Sequence, residues 1–330
     1  EVYLYFLFFE VFMKRLVSIC ISLFFVLTIS FPLLAQEANL ENNAINDSSD
    51  SATVTYSENR DFKRKATYWT IAGSFALVYY YGAEAWDWGE GGFRWGDEGW
   101  FGANTPSGGM DKLGHMWAHY AVMRGFNNLF EYTLEDKKEA LILSTSTAAA
   151  IGLLIELGDG TSSSWGFSYQ DLIFDWLGVG LGVVLEAFPV ADEFIGFTWE
   201  YWPTDNFLHE SKGRKKFHVT GDYSGHKYMI NFKLAGFKAI GWDIPEFLRY
   251  IMIDFGYYTR GYTDYEDPGT EKTRHPYIGI SINFMEIVKD FFDEKDQNSR
   301  LCKGLQQPFK YMHVPVGYEA QKTLHSGNYN

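Results

Sequence analysis

Hydrophobic and polar positions divide the chain into a helical part and a strand-like part. The run 66–82, ATYWTIAGSFALVYYYG, is apolar and aromatic, long enough for a buried helix and marginal as a membrane span. The stretch 83–110 is rich in Gly and Trp, has no periodicity, and holds Trp86, Trp88, Trp95 and Trp100. Three more helices are predicted. The segment 111–135 is amphipathic, and 139–157 is apolar with many small residues. The segment 171–188 carries Gly178 and Gly182 at GxxxG spacing before Pro189 ends it. Small residues let helix backbones approach closely, which suits a tight bundle in or beside lipid. After residue 200 the period becomes two: Tyr228, Ile230, Phe232 and Leu234 alternate with Met229, Asn231 and Lys233. The segments 250–258 and 277–284 also read as strands between charged, Gly/Pro-containing turns. Three or four strands cannot close a membrane barrel, which needs about eight. The expected fold is therefore α+β: a bundle of about four apolar helices over 66–190, followed by a small antiparallel β-sheet over about 215–290.

The first segment reads as an address. Met13 is followed by Lys14 and Arg15, then an apolar run to Leu34, then Ala35-Gln36. A basic start, an apolar middle and a small residue at the cut make a secretory signal peptide over 13–35, with 1–12 as a spurious upstream extension. The alternative is an amino-terminal membrane anchor. Residues 36–65, rich in Asn, Ser, Asp and Glu, read as a flexible polar tether. A helical domain over 66–200, an antiparallel β-rich region over 201–316 and a tail over 317–330 complete the organisation. Cys20 lies too early in the apolar run to be a lipidation site, which leaves Cys302 alone in the mature chain without an intramolecular disulfide. Export without disulfides fits a bacterial envelope protein, on the periplasmic side and membrane-associated, better than a small secreted scaffold.

Composition narrows the partners. The 330 residues include 42 acids against 28 bases, a formal net charge of −14, so no excess of cations is available for nucleic acid. Cleavage after Ala35 removes Glu1, Glu10, Lys14 and Arg15 and leaves that charge unchanged. Mean hydropathy is −0.20, which argues against a chain built wholly of membrane spans. Aromatic residues make up 18% of the chain, with 11 Trp, and such side chains gather at membrane interfaces and binding surfaces. The partner expected on these grounds is a membrane or an envelope lipid.

The chemistry resides in ionisable groups inside the apolar helices. Asp111, His115 and His119 recur every four residues and share one helical face, with Lys112 adjacent. Glu156 and Asp159 lie a turn apart, as do Asp171 and Asp175. Burying such groups unpaired costs several kcal/mol, so they should converge on each other, a cation or a polar ligand. Three readings follow. In one, His115, His119 and Asp111, with Glu156 or Asp159, bind a divalent metal, although no Glu follows His115 as in the HExxH proteases. In another, His115 is a metal-free acid/base, oriented by Asp111 or Glu156. In the third, Lys112 neutralises a carboxylate and the network fixes helix register. Ser168 nearly completes a GxSxG elbow, but the last Gly is missing; Ser168 with Asp171 reads as a helix cap. Tyr223-Ser224-Gly225-His226 is similar to one block of the membrane phosphatases, whose paired Arg blocks are absent. The Trp residues of 83–110 read as an interfacial anchor or loop core.

The runs GWFGANTPSGGMDKLGHMWAHY (99–120) and ELGDGTSSSWGFSYQDLIFDWLGVGLG (156–182) resemble the YfiM-type family of predicted periplasmic lipoproteins, a domain of unknown function. The family's GG-x-DK-x-GH, E-x2-DG and GFS-x2-D blocks stand here in order, and the likeness extends from about Trp69 to about Val316. It implies an envelope location and a mainly helical domain, and no activity. The motif positions carried over are Asp111, Lys112, His115, Glu156, Asp159, Ser168, Asp171 and Asp175; many members have Asn where Asp175 stands. A fainter likeness to VanZ-type membrane proteins rests on the same order of residues. The leading expectation is an envelope protein whose polar cluster is structural or binds a polar lipid or envelope component. The alternative is an envelope lipid or glycan hydrolase or transferase with His115 as acid/base, assisted by Asp111, Glu156 and Asp159, with or without a divalent metal.

Overall fold

The computed structural model describes residues 49–205, 207, 219–262 and 269–325, with side chains from Arg60 onward. The signal peptide expected over 13–35 lies outside these residues. Four long helices come first: α1 (Ser49–Ala85), α2 (Met110–Leu134), α3 (Lys137–Gly160) and α4 (Tyr169–Ala187). α1 begins inside the span read as a flexible tether. No Gly or Pro interrupts 49–65, and its charged turn finds partners on the bundle. Arg64 donates to both carboxylate oxygens of Glu139 at 3.1 and 2.5 Å, and the Lys63 ammonium lies 4.6 Å from the Tyr132 ring centre. α3 starts where Asp136 accepts the backbone N–H groups of Lys138 and Glu139. α4 starts where Ser168 Oγ accepts the Asp171 N–H at 3.3 Å, which is the cap expected from the sequence.

α2 is the centre of the bundle and packs against α1, α3 and α4. Its entry is a left-handed glycine pair, Gly108 (φ 64°) and Gly109 (φ 93°), where a side chain on Gly109 would meet the Phe101 ring at 2.2 Å. This tight turn lays the preceding loop over the start of α2. α2 and α4 approach closely because a Cβ on Gly178 would lie 2.0 Å from the Met116 carbonyl oxygen. Only a glycine permits that spacing.

The short helix α5 (Pro189–Phe194) leads into the sheet: β1 (Ile195–Tyr201), β2 (His226–Lys233), β3 (Ile251–Arg260), β4 (Thr273–Ile282) and β5 (Gly317–Gln321). They pair antiparallel in chain order, and β6 (Leu324–His325) also pairs with β4. The α+β architecture is the one expected, but the sheet is larger. β1 lies within 66–200, assigned to the helical part, and β5 lies in 317–330, read as a tail. The turn Gly236–Ala239 (α6) and helices α7 (Phe284–Asp290) and α8 (Arg300–Tyr311) decorate the sheet.

The two faces of the sheet differ. Phe197, Trp199, Tyr228, Ile230 and Tyr257 pack on Leu113, Met116, Trp117 and Tyr120 of α2. At about 25 cal/mol per Å² of buried apolar surface, such aromatic contacts dominate the attachment of sheet to bundle. The far face carries the polar groups: Thr198 donates to Asn231 at 2.8 Å and Asn231 to Asp254 at 2.7 Å, while His313 contacts Glu200 at 3.0 Å, beside a small buried cluster of Met229, Tyr258 and Tyr277. The molecule is thus layered, with α1, α3 and α4 on one side of α2 and the sheet on the other.

Candidate functional site

The sequence-predicted residues converge at one end of α2 and α4, beside a cavity of about 250 Å³ between the bundle and the sheet. Asp111, Lys112, His115 and His119 come from α2, Glu156 and Asp159 from the end of α3, and Asp171 and Asp175 from α4. Lys112 is buried and donates to Asp171 at 2.9 Å, with Glu98 a further 3.9 Å contact. Asp175, also buried, receives both imidazoles: Oδ1 lies 2.9 Å from His115 Nδ1 and 2.7 Å from His119 Nδ1. Asp175 is therefore the group that orients His115, whereas Asp111 (3.8 Å from Nε2) and Glu156 (3.8 Å from Nδ1) stand farther off. Glu156 is itself held by the Ser168 N–H at 2.9 Å, and Asp159 by the Trp88 indole N–H at 2.7 Å. His119 Nε2 and Asp175 Oδ2 are buried without a hydrogen-bond partner among the described residues. Ser168 stays a cap and faces no His.

Six carboxyl groups, those of Glu98, Asp111, Glu156, Asp159, Asp171 and Asp175, surround Lys112, His115 and His119. The imbalance shows in their protonation. Burial, reinforced by Asp111 and Asp171, pushes Glu98 up to about 10, and burial raises Glu156 to about 9 and Asp159 to about 7. Burial works against a charge on Asp175, but the two imidazoles outweigh it and hold the carboxyl far below its usual range. Burial likewise disfavours a charged His115, and Asp175 overrides it, so its pKa is raised well above the ordinary value. His115 at neutral pH is a proton donor.

Among the described residues, two groups of side chains could hold a cation: His115, His119 and Asp175, and Asp111, His115 and Asp171, each with donor atoms within 4.8 Å of one another. The three metal candidates read from sequence do not form one group. His115 links two, and a carboxylate of α4 completes each.

Several lining residues had no sequence signal. Glu98 sits in the aperiodic Gly/Trp stretch, placed by the glycine turn before α2. Tyr223, whose hydroxyl donates to Asp111 at 3.3 Å, and His226, the first residue of β2, come from the run similar to a phosphatase block, a likeness that did not point to this cluster. Trp199 Nε1 donates to His226 Nδ1 at 2.8 Å and His226 Nε2 donates to the Val219 carbonyl at 3.0 Å, and burial lowers it to about 4, so it packs as a neutral ring. Trp86, Trp117, Trp165 and Trp199 complete the aromatic wall. Of the loop tryptophans, Trp88 is buried core, whereas Trp95 and Trp100 are exposed.

The same two helices bury a second set of charges farther along. Arg124 donates to Glu186 at 2.6 Å, to Tyr120 at 2.9 Å and to both oxygens of Asp192 at 2.7 and 2.9 Å. Lys310 joins Asp192 at 2.8 Å, and Lys233 donates to its backbone carbonyl. A smaller cavity of about 180 Å³ on the polar face of the sheet holds Glu200, Lys227, Asp254 and His313, whose charges pair among themselves.

Residues 97–187 match a family described as predicted periplasmic lipoproteins (DUF2279). The matched span supplies every ionisable residue of the cluster from Glu98 to Asp175 and stops before the sheet. The description agrees with a chain that is exported, periplasmic and membrane-associated. No curated protein matches the chain, and no solved structure does.

Proposed function

We propose that this envelope protein holds the ammonium-bearing polar head of an envelope lipid in the cavity between α2 and the sheet. The observation that carries the reading is the contrast along α2 and α4. Every guanidinium nitrogen of Arg124 is satisfied, while the cavity cluster combines a surplus of carboxyls, orphaned atoms and an aromatic wall. A purely structural network gains nothing from a cavity. Burial keeps several of these carboxyls protonated while the site is empty, and an arriving ammonium draws them back to the charged form, with Trp and Tyr rings adding cation–π attraction. Calorimetry in detergent with a short-chain ethanolamine phospholipid should show binding that weakens at least tenfold in Asp111→Asn. A glycerol-head phospholipid should bind no more tightly than to that variant. Equal binding of both heads, or none, overturns the reading.

A second reading is favoured by the Asp175–His115 pair, an imidazole fixed by a buried carboxylate as in many acid/base catalysts. Here His115 is the general acid of a lipid or glycan hydrolase or transferase, with Asp111, Glu156 and Asp159 positioning the ligand. His115→Ala should then abolish turnover with little change in melting temperature. Elemental analysis beside a His115→Ala/His119→Ala control tests the divalent-metal form of the site. Stoichiometric metal lost in the control would make the cluster a metal centre and displace the headgroup reading.

A further inference from the structure

The helical layer buries its charged groups among apolar clusters and leaves further apolar side chains outside. On α4 the charged Asp171 and Asp175 face α2 and are buried, while Tyr169, Ile173, Trp176, Leu177 and Val184 are exposed at helical spacing. On α3, Ile142, Leu153 and Leu157 continue the pattern, with Ser146 and Ala150 between them. On α1, Tyr68, Trp69, Tyr79 and Tyr80 flank Ala72, Gly73 and Ala76. α3 packs against both α1 and α4, so the three stripes lie side by side on a face left exposed by the described residues.

That face is charge-free over a bilayer-scale distance. α1 has no charged residue over 66–83 and α3 none over 140–155, which at about 1.5 Å per residue is roughly 24–27 Å. Charges return together at both ends. Arg64 and Glu139 pair at one, and Glu84, Glu156 and Asp159 stand at the other. Aromatic side chains mark both ends, Tyr68 and Trp69 near the first, and Tyr79, Tyr80 and Tyr169 near the second. Interfacial aromatics and a patch this wide are features of lipid contact. α3 is long and apolar enough to cross a bilayer, but α2 carries the sheet on its other side, and the partly exposed charges of that sheet, Glu200, Lys227 and Glu319, need water.

We infer that the face formed by α1, α3 and α4 seats flat in the outer hydrocarbon of one leaflet, with the sheet turned to the aqueous side. Lipid contact then does not depend on an acylated cysteine. Nitroxide labels test it on the full chain with Cys20→Ser, where Cys302 is buried. In phosphatidylethanolamine/phosphatidylglycerol vesicles, labels at Ile173→Cys and Leu177→Cys should collide several-fold more with oxygen than with a nickel chelate. A label at Lys238→Cys, exposed beside the sheet, should show the reverse. Equal nickel access at all three positions overturns the inference. So does dipolar broadening between labels at Ile173→Cys without vesicles, which would show a second copy on this face. With brominated lipid, Trp176→Phe should remove more tryptophan quenching than Trp242→Phe, and the opposite order counts against lipid contact. Headgroup binding is read separately in detergent, so either proposal can fail without the other.

Discussion

Two buried charge clusters lie on the same pair of helices, α2 and α4, and they are built on opposite principles. Around Arg124, Glu186, Asp192 and Tyr120 take every guanidinium nitrogen, and the one loose end is the Tyr311 hydroxyl, buried nearby without a partner among the described residues. Around Asp175 the acids outnumber the bases, atoms are left without partners, and a cavity of about 250 Å³ opens alongside. A matched knot explains how α2, α4, α5 and α8 are held together. An unmatched one beside empty space is better explained by something it receives.

The sharpest way to break this contrast is to strand the matched charges. Asp192→Ala leaves Arg124 and Lys310 without their shared carboxylate, and should cost about 3–5 kcal/mol in chemical denaturation. If Asp175→Ala costs more than Asp192→Ala, the assignment of roles is reversed. Asp175→Asn keeps the shape and one acceptor, so about 1–3 kcal/mol is expected. The diagnostic result is an NMR titration in which the pKa of His115 falls, because the charge that raises it is gone.

The polar face of the sheet sharpens the comparison through pH. Burial opposes a charged His313, but Asp254 and Glu200 outweigh it and raise the ring to about 9. A raised pKa means stability that is complete below the unfolded value of about 6.5 and lost as pH climbs through about 9, at no more than about 1.4 kcal/mol per unit. Denaturation midpoints should fall across that window, and His313→Gln should flatten the fall. A slope unchanged in the variant would remove His313 from the account. His115→Ala should cost about 1 kcal/mol or less, since Asp175 keeps His119, while the turnover expected of the second reading is lost. Smallest of all is Ile173→Ser on the exposed face, within about 0.5 kcal/mol in detergent. A large loss there would mean a face that is part of the core.

Much of this was legible in the pattern of the chain. The i, i+4 spacing of Asp111, His115 and His119, and of Asp171 and Asp175, placed the cluster on helix faces, and four apolar runs became four helices. What could not be read was which carboxylate meets which imidazole. Asp175, not Asp111 or Glu156, holds His115 because Gly178 lets α4 press against Met116, a contact between elements that no local spacing encodes. Glu98 was hidden in a loop without period, fixed by the left-handed turn at Gly108 and Gly109. β1 alternates Ile195, Phe197 and Trp199 with Gly196, Thr198 and Glu200, but it follows a helix after a short turn and was absorbed into the helical part. β5 carries few apolar residues, and its partner β4 is what makes it a strand.

That late strand has a consequence for how the protein is made. β5 is supplied by residues 317–321, after α7 and α8, and it covers the edge of β4. A chain emerging amino-terminus first can assemble α1 to α4 early, while the β4 edge waits for the last part to arrive. During that interval an exposed strand edge is open to pairing with neighbouring chains. Export therefore has a vulnerable stage, when the helices are formed and the sheet is still open to the wrong partner.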